Sequence, residues 1–473
     1  MENFNLVDDP WIPVRYPDGR QTLVSLKEAF RESREIQDLA CAPHERVSLM
    51  RLLVCITQRL FPPPETDEDW DDYAVELETK AAEYLLEPKV KETFNLYGKG
   101  RRFLQTKVPT TKGPVNISKL VPFLASGNNT TLNDQRGDDQ NPRRLESHSV
   151  ALALLCFQNF YPLYGAGYKG KGPCVDGNML HTLLLGRHLR ETITLNCITK
   201  ELIEDSKMFA QGIGLPVWEI AERPDFAKIA TQSYLGRLVP RHRNLMLSED
   251  GKGYFIDSKS VEYPTYDKAR EPTSTIVVVK KGNEEQRRTL PARLGRGVWR
   301  DLHLILMLKS SDNMNSAGTP WNLLSHPDEC QTIHQLWTGA LITDLKAKIL
   351  DTVESTFTLP ISMLEPERID MYRRGVEYAE NVSKSLYSSL KKYGETLKQE
   401  QPPVEKAQSF FWHQLDQRNA TLIDLSAAPM TLTDDFGVGN DPWTQTVRQA
   451  AVTAYEESCP RQTPRQYKAY AEG

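Results

Sequence analysis

The sequence has no excess of positive charge, no paired cysteines and no membrane-length apolar run. Its 473 residues carry a formal net charge of -5, which argues against a protein that coats nucleic acid unaided. Nucleic-acid binding would therefore need local basic surface or partner chains. Seven scattered cysteines, none in a C-x-x-C pair, predict reduced thiols and neither a disulfide framework nor a metal site.

Signals for secretion and catalysis are also missing. The first 13 residues have no basic stretch ahead of an apolar one, which is untypical of a secretory signal and predicts a cytoplasmic protein. The nine histidines are dispersed, and no G-x-S-x-G elbow, H-E-x-x-H helix or paired-aspartate nuclease motif occurs. We interpret His148 and His181, which flank a glycine-rich segment, as structural residues and not as general bases.

Apolar periodicity predicts a chain that begins rich in strands and ends helical. A hairpin is expected around Asp18-Gly19 and a second one over residues 273–290. The apolar spacing predicts helices over three further stretches, at residues 45–60, 74–86 and 146–160. From about residue 331 onward, spacings of three and four predict a helical bundle. The length fits two or three domains, and the order of elements favours the α+β class.

Basic and aromatic residues are interleaved between Glu92 and Asp134, where no other acidic residue occurs. The cations are Lys99, Arg101, Arg102, Lys107, Lys112 and Lys119. The rings among them are Phe94, Tyr97 and Phe103. Such a pattern suits a phosphate backbone with unstacked bases, because cations displace counterions and rings stack on bases. A solvated loop explains the same pattern, and the sequence leaves both open.

A glycine-rich segment at residues 165–173 matches two nucleotide-binding patterns incompletely. As G-x-x-x-x-G-K it has Gly172 where Mg²⁺ binding needs Ser or Thr, and Pro173 obstructs the helix that should follow. As G-x-G-x-x-G it follows a predicted helix and not a strand. A nucleotide-dependent enzyme that uses residues 165–172 therefore remains the alternative hypothesis. The favoured one is a close backbone approach to a DNA minor groove, with Lys169 and Lys171 at the flanking phosphates; a mobile surface turn is the third.

Four segments together resemble one family, and their order and spacing match it. They are LVDDPWIPVR at 6–15, LLVCITQ at 52–58, FLQTK at 103–107 and GAGYK at 165–169, the last followed by His181-Thr182-Leu183. The chain resembles CasA, the large subunit of the type I-E CRISPR surveillance complex Cascade. The D-x-W-I-P-V-R phrase is the most specific signal, here with a proline before the tryptophan.

The resemblance implies a fold and a role. It implies a large mixed α/β N-terminal domain over residues 1–362 and a C-terminal four-helix bundle over 363–473. It also implies a non-enzymatic subunit without metal or cofactor that recognises the protospacer-adjacent motif on double-stranded DNA. The subunit would help open the duplex for pairing with CRISPR RNA and recruit the helicase-nuclease, with other Cascade subunits and the CRISPR RNA as partners and no membrane. Reading of the longer target sequence would then belong to base pairing.

The resemblance also implies positions for the family's contact residues. The glycine loop falls on Gly165, Ala166, Gly167 and Lys169, with Lys171 beside it, and the motif-contacting lysine falls on Lys259. The loop that docks on the RNA-bearing core falls on residues 128–137, including Asn128, Asn129, Leu132 and Gln135.

One stretch departs from the family. Where relatives place a glutamine wedge into the duplex, residues 343–348 read TDLKAK and contain no glutamine. Leu345 or Lys346 would have to take that place. Helical spacing of Leu341, Leu345 and Ile349 assigns Leu345 to the core and turns Lys346 outward, so the sequence favours Lys346 as the wedge.

Overall fold

The structure is a computed structural model, which describes most of the chain. The described residues are 3–111, 113–121, 123, 145–161, 170–204, 209–264, 271–281, 284–307, 322, 335–345, 348–428, 436–439 and 441–473. Three groups of predicted contact residues lie outside them: the docking loop at 128–137, glycine-loop residues 165–169, and Lys346.

Sixteen α-helices are numbered along the described part of the chain. Ten precede residue 240: α1 Leu26–Arg31, α2 Pro43–Leu60, α3 Asp67–Leu86, α4 Pro88–Thr93, α5 Ser147–Phe160, α6 Leu189–Leu195, α7 Lys200–Glu204, α8 Val217–Ile220, α9 Phe226–Gln232 and α10 Tyr234–Leu238. Six follow: α11 Leu302–Leu306, α12 Pro366–Leu397, α13 Val404–Asp416, α14 Ala420–Ala427, α15 Pro442–Ser458 and α16 Pro464–Glu472.

Eleven strands in the same residues form small antiparallel sheets. They are β1 Ile12–Arg15, β2 Gln21–Val24, β3 Asp38–Leu39, β4 Val115–Asn116, β5 His181–Leu185, β6 Arg243–Leu247, β7 Gly253–Ser260, β8 Ile276–Lys281, β9 Glu284–Thr289, β10 Gln335–Thr343 and β11 Ile349–Phe357. The sheet orders are β2-β1-β3, β11-β10-β5 and β4-β7-β6, with β8-β9 as a separate hairpin. The predicted mixture of helices and strands is therefore confirmed.

The chain divides into two compact units. The first comprises Met1–Leu294 and Pro320–Thr358, and the second comprises Gly295–Thr319 and Leu359–Gly473. The segment Gly295–Thr319, which the sequence assigned to the N-terminal domain, thus groups with the C-terminal helices. A functional boundary at 362/363 stays a prediction.

The first unit has its core around α2 and the N-terminal hairpin. Helix α2 is buried along nearly its whole length and begins with Pro43 at its first turn, a position that proline tolerates. The β1–β2 hairpin turns at Gly19, whose φ of +85° favours glycine. Trp11 is fully buried, and its indole Nε1 donates to the Leu6 carbonyl at 2.9 Å. Trp11, the tryptophan of the D-x-W-I-P-V-R phrase, therefore has a structural role in the core.

Gln335–Thr343 and Ile349–Phe357 form strands, and the prediction of helix from about residue 331 is wrong there. β10 pairs with β11 along nine-residue strands, and its other edge pairs with β5, more than 140 positions earlier in the sequence. β10 is buried on both faces, so its apolar residues form a continuous run without the alternation that marks a half-exposed strand. Helices begin only after this hairpin, with α12 at Pro366.

The second unit is built on α12. Its predicted apolar stripe is buried, including Val376, Ala379, Leu386 and Leu390. Gly375 allows close packing, because a Cβ there would lie 2.3 Å from a methyl carbon of Leu422. Within the described residues, no helix is long and apolar enough to span a membrane.

Candidate nucleic-acid interface

The described end of the glycine segment is held firmly by its neighbours. The Gly172 N–H donates to the Tyr161 carbonyl at 2.9 Å, so residues 161 and 172 meet at the two ends of the loop. A Cβ on Gly172 would lie 2.3 Å from the Asn159 carbonyl oxygen. Gly170 has a φ of +76°, and its carbonyl accepts from Arg243 Nη2 at 2.8 Å. The glycines at 170 and 172 thus serve turning and close packing.

Lys171 is engaged within the chain. Its Nζ lies 3.6 Å from Asp176 Oδ1, and each side chain is 25% exposed. A partly exposed pair of this kind stabilises a fold by at most about 1 kcal/mol. Lys171 is therefore available to a phosphate only in exchange for Asp176, at a small cost.

Lys259 lies beside the residues that hold the glycine segment. It is exposed on β7, where Ser260 pairs with Arg243 of β6. The next residue, Val261, donates its N–H to the His242 carbonyl at 2.9 Å. Arg243 in turn donates to Gly170. Lys259 is therefore one residue away in β7 from the position that pairs with Arg243, the residue that holds Gly170.

Leu345 lies exposed at the tip of the β10–β11 hairpin, which corrects its assignment to the core. Leu341 and Ile349 are buried in the two strands, whereas Leu345 is 54% exposed with a φ of +63°. The tip is closed by hydrogen bonds from the Asp344 N–H to the Lys348 carbonyl and from the Lys348 N–H to Asp344 Oδ1, each 3.0 Å. The spacing of four that suggested a helix here spans a tight turn between strands.

Asn178 ties this hairpin to the chain that follows the glycine segment. Asn178 Oδ1 accepts from the Thr343 N–H at 3.0 Å and from Thr343 Oγ1 at 2.8 Å. Asn178 Nδ2 donates to the Thr343 carbonyl at 3.1 Å. Thr343 Oγ1 also accepts from the Leu345 N–H at 3.0 Å. Because Asn178 is 91% buried, solvent competes little for these bonds.

Residues 170–178 therefore contact the β6–β7 pair, which carries Lys259, at one end and the β10–β11 hairpin, which carries Leu345, at the other. Arg243 connects Gly170 to the strand of Lys259, and Asn178 connects the same segment to the tip that carries Leu345. Sequence reasoning missed Arg243 and Asn178. The Asp176-Gly177-Asn178 triplet was the available signal, since Asn adopts a positive φ more readily than most residues, and Asn178 has a φ of +56°.

The aromatic residues of the basic segment do not face solvent, which argues against the alternative in which they stack on bases. Phe94 and Phe103 are fully buried and lie 5.3 Å apart as a stacked pair, and Tyr97 is 5% exposed. Arg101 pairs with Glu222 at 2.7 Å. The rings belong to the core because they pack around α4 and α8, and only the cations reach the surface.

The buried titratable groups support a structural role. His181 is fully buried, with Nδ1 2.8 Å from Thr273 Oγ1 and Nε2 2.9 Å from the Cys174 carbonyl oxygen. Burial lowers its pKa to about 4, so the ring is neutral near pH 7. Six described cysteines carry free thiols. Within the described residues, no group of three His, Cys, Asp or Glu side chains is placed to hold a metal ion.

The described residues after the glycine segment do not provide a phosphate-binding helix. Asp176–Asn178 forms a three-residue 3-10 helix, and β5 follows directly. A P-loop or dinucleotide site places its phosphates at the N-terminus of an α-helix that comes straight after the glycines. Nothing at residues 170–185 supplies that helix.

Sequence comparisons with known proteins indicate the family. Residues 5–454 match the family model of CRISPR-associated protein Cse1. A curated CRISPR-associated protein CasA/Cse1 of Thermus thermophilus is 27% identical over 407 residues, which cover 82% of this chain and 77% of the relative.

Solved structures share the fold. The crystal structure of Thermus thermophilus CasA matches with a TM-score of 0.77 at 22% identity, covering 99% of this chain and 97% of the other. A chain of a CRISPR RNA-guided surveillance complex matches with a TM-score of 0.73 at 18% identity, covering 100% and 98%. Because the family model matches nearly the whole chain, the chain belongs to the Cse1 (CasA) family of CRISPR-associated large subunits.

Proposed function

We propose that the protein is the non-catalytic large subunit of a type I-E CRISPR RNA-guided surveillance complex. In this role it recognises a short motif on double-stranded DNA, helps open the duplex for pairing with the CRISPR RNA and recruits a helicase-nuclease. The observation that carries the proposal is that residues 170–178 contact both the β6–β7 pair, which carries Lys259, and the hairpin whose tip carries Leu345. Family membership supplies the complex and its RNA as partners.

The chemistry of each element suits its part. Glycines 165 and 167 would let backbone N–H groups enter a narrow minor groove, where side chains would obstruct the approach. Lys259, exposed at the end of β7, would contact the motif, and Lys169 and Lys171 would contact flanking phosphates. A net negative chain can bind DNA in this way because only the local cations face it.

Opening of the duplex would begin at the hairpin tip. Inserting a side chain beside the motif costs a few kcal/mol of stacking, which new contacts offset. Leu345 is now the favoured wedge because it is exposed and its backbone N–H is held by Thr343, which Asn178 holds in turn. An apolar side chain separates base pairs without hydrogen bonds, unlike the glutamine of relatives. Lys346 remains beside it as the second candidate.

Other parts of the chain would join the complex. Residues 128–137, with Asn128, Asn129, Leu132 and Gln135, would dock on the RNA-bearing core. The helices of the second unit would act as the family's four-helix bundle and guide the displaced strand. Strand guidance needs no catalytic group, so the proposed subunit is not an enzyme.

Timing of strand opening by the assembled complex tests the proposed wedge. Leu345→Ala should slow opening of a linear target, and negative supercoiling should restore the rate because it supplies unwinding energy. Leu350→Ala is the matched control, since Leu350 is 42% exposed on the same hairpin. If Leu345→Ala and Lys346→Ala both open linear target at the normal rate, the hairpin is not the wedge.

A further inference from the structure

A cavity of about 510 Å³ lies apart from the proposed DNA-contacting residues, in the first unit. The FLQTK segment, which the proposed function leaves without a role, contributes Leu104, Gln105, Thr106 and Lys107 to its wall. Five cations line the cavity: Lys99, Arg101, Arg102, Lys107 and Arg241. Glu92 and Glu222 are the carboxylates of the lining, and Glu222 is paired with Arg101. The cavity therefore has a strong excess of positive charge.

Arg241 is the most informative of these cations because it is buried without a counterion. It is 9% exposed, and its Nε has no hydrogen-bond partner in the described part of the chain. Its Nη1 donates to the Ala221 carbonyl at 3.4 Å, and its guanidinium lies 3.7 Å from the centre of the Phe226 ring. Among the described residues no carboxylate pairs with it. Desolvation lowers its pKa, and the Phe226 ring and the Ala221 carbonyl compensate its buried charge only in part.

The part of the cavity wall formed by the FLQTK segment is fixed by hydrogen bonds and is strained at Leu104. The Thr106 N–H donates to the Leu245 carbonyl at 2.9 Å, and Gln158 Nε2 donates to the Leu104 carbonyl at 3.1 Å. Leu104 itself has a φ of +50°, which costs a residue with a side chain about 1 kcal/mol or more. Strain of this kind persists where surrounding contacts fix a segment in place, and Lys107, three residues further on, is exposed in the same segment.

The size and the charge of the cavity limit the classes of ligand that could bind there. A cavity of 510 Å³ lies within the range of about 300–1,000 Å³ typical of small-molecule sites, and it is larger than an inorganic anion requires. Arg102 contributes a fixed fork, because its Nε donates to the Gly98 carbonyl at 2.5 Å and its Nη1 to the Leu247 carbonyl at 3.1 Å. Guanidinium groups favour phosphate oxygens, and exposed lysines add charge at the entrance.

We propose that this cavity binds one nucleotide through its phosphate, with Arg241 and Arg102 inside and Lys99 and Lys107 at the mouth. The nucleotide is either free or one unit of a nucleic-acid strand, since both present the same phosphate. The cavity shares no lining residue with the proposed DNA interface, because none of its lining residues belongs to residues 165–178, to β7 or to the β10–β11 hairpin.

Thermal unfolding of the full chain with adenosine 5′-monophosphate, adenosine and inorganic phosphate tests the proposal. Adenosine monophosphate should raise the midpoint, because a ligand that binds only the native state stabilises it. Adenosine should not raise the midpoint temperature of unfolding. Inorganic phosphate should bind at least about tenfold more weakly than adenosine monophosphate. No shift with the monophosphate, or equal affinity for inorganic phosphate, would overturn the nucleotide assignment. A short oligoadenylate RNA that competes with the monophosphate identifies a strand as the source, and absence of competition identifies the free nucleotide.

Variants assign the binding to this cavity. The double substitution Lys99→Ala with Lys107→Ala should weaken binding of the monophosphate at least about tenfold. Lys228→Ala, at an exposed position of α9 outside the cavity, should leave this binding unchanged. Arg241→Met should abolish the shift without lowering the midpoint of the free chain, since it removes a buried charge that is compensated only in part. If Arg241→Met lowers the midpoint temperature of unfolding but leaves nucleotide binding intact, Arg241 is a structural residue and its role in binding is overturned. Equal binding in the lysine pair and Lys228→Ala would place the nucleotide elsewhere.

Discussion

Asn178 and Thr343 lie 165 positions apart in the sequence and share three hydrogen bonds of 2.8–3.1 Å. Through them, the segment that leaves the glycine loop fixes the base of the hairpin whose tip carries Leu345. A duplex gripped at the glycine loop would therefore be presented to the hairpin at a defined distance. Recognition and opening of DNA are coupled by this contact in the proposed function.

Substitution of Asn178 should uncouple the two steps. Asn178→Gly keeps the backbone free to adopt the φ of +56° but removes all three side-chain bonds, so we expect a loss of about 1–3 kcal/mol in the free energy of unfolding. Asn178→Ala should cost about 1 kcal/mol more, because alanine disfavours a positive φ. Urea unfolding measures both values. Complexes with Asn178→Gly should still bind target but open it more slowly, and normal opening kinetics would contradict the coupling.

Substitutions of Lys171 and Asp176 should change DNA binding in opposite directions. Lys171→Ala should weaken duplex binding by the complex and flatten its salt dependence by about one unit of log-log slope, as Lys169→Ala should. Asp176→Asn should strengthen binding, because it releases Lys171 from its 3.6 Å ion pair. Titrations at several salt concentrations measure the slopes. Unchanged slopes in both lysine variants would reject the glycine loop as a phosphate contact.

Three buried histidines predict acid sensitivity of the first unit. Burial lowers the pKa values of His44, His181 and His242 to about 4, below the unfolded value near 6.5. Between these values the unfolded chain binds more protons, so stability falls as pH drops from about 6.5 towards 4, by about 1.4 kcal/mol per pH unit for each histidine.

Substitution of one of these histidines measures its contribution to the pH dependence of stability. His242→Gln should reduce the pH dependence of the free energy of unfolding by about one proton, and His413→Gln, at an exposed position of α13, should not. Urea unfolding at several pH values between 5 and 7 makes the comparison. The same slope in the two variants would show that His242 is not buried in its neutral form.

The second unit should be removable only as a whole. Trp299 precedes α11, yet its Nε1 donates to Asp416 Oδ1 at 2.6 Å and its ring lies 5.6 Å from that of Trp443. A chain cut after residue 363 exposes Trp299 and should aggregate. A chain that lacks both Gly295–Thr319 and Leu359–Gly473 should stay monomeric with the first unit folded, but its complex should lose stable target capture. Size-exclusion chromatography and target binding measure the outcomes; equal solubility of the two truncations would contradict this division.

Local patterns predicted much of the fold. The hairpin at Gly19, helices α2 and α5 and the β8–β9 hairpin follow from apolar periodicity and turn residues, and the structure confirms them. The sequence could not predict β10, because burial on both faces removes the alternation typical of strands, and its pairing with β5 is non-local. That error also misplaced Leu345, whose exposure depends on a turn between strands. The glycine segment with Lys169 and Lys171 was a candidate from its own residues, whereas Lys259, the docking loop and the wedge position came from the family resemblance. The contacts of residues 170–178 depend on Arg243 and Asn178, whose partners are distant in sequence.

The preference of the assembled complex for bases beside the target tests the central claim most directly. Binding should be measured on duplexes randomised at the positions next to the target, for Lys259→Ala and for Lys252→Ala, an exposed lysine just before the opposite end of β7. The account predicts that Lys259→Ala weakens the preferred duplexes about 10- to 100-fold and flattens the preference, while Lys252→Ala keeps both. An unchanged preference with Lys259→Ala would contradict the assignment of this surface as the motif-reading interface.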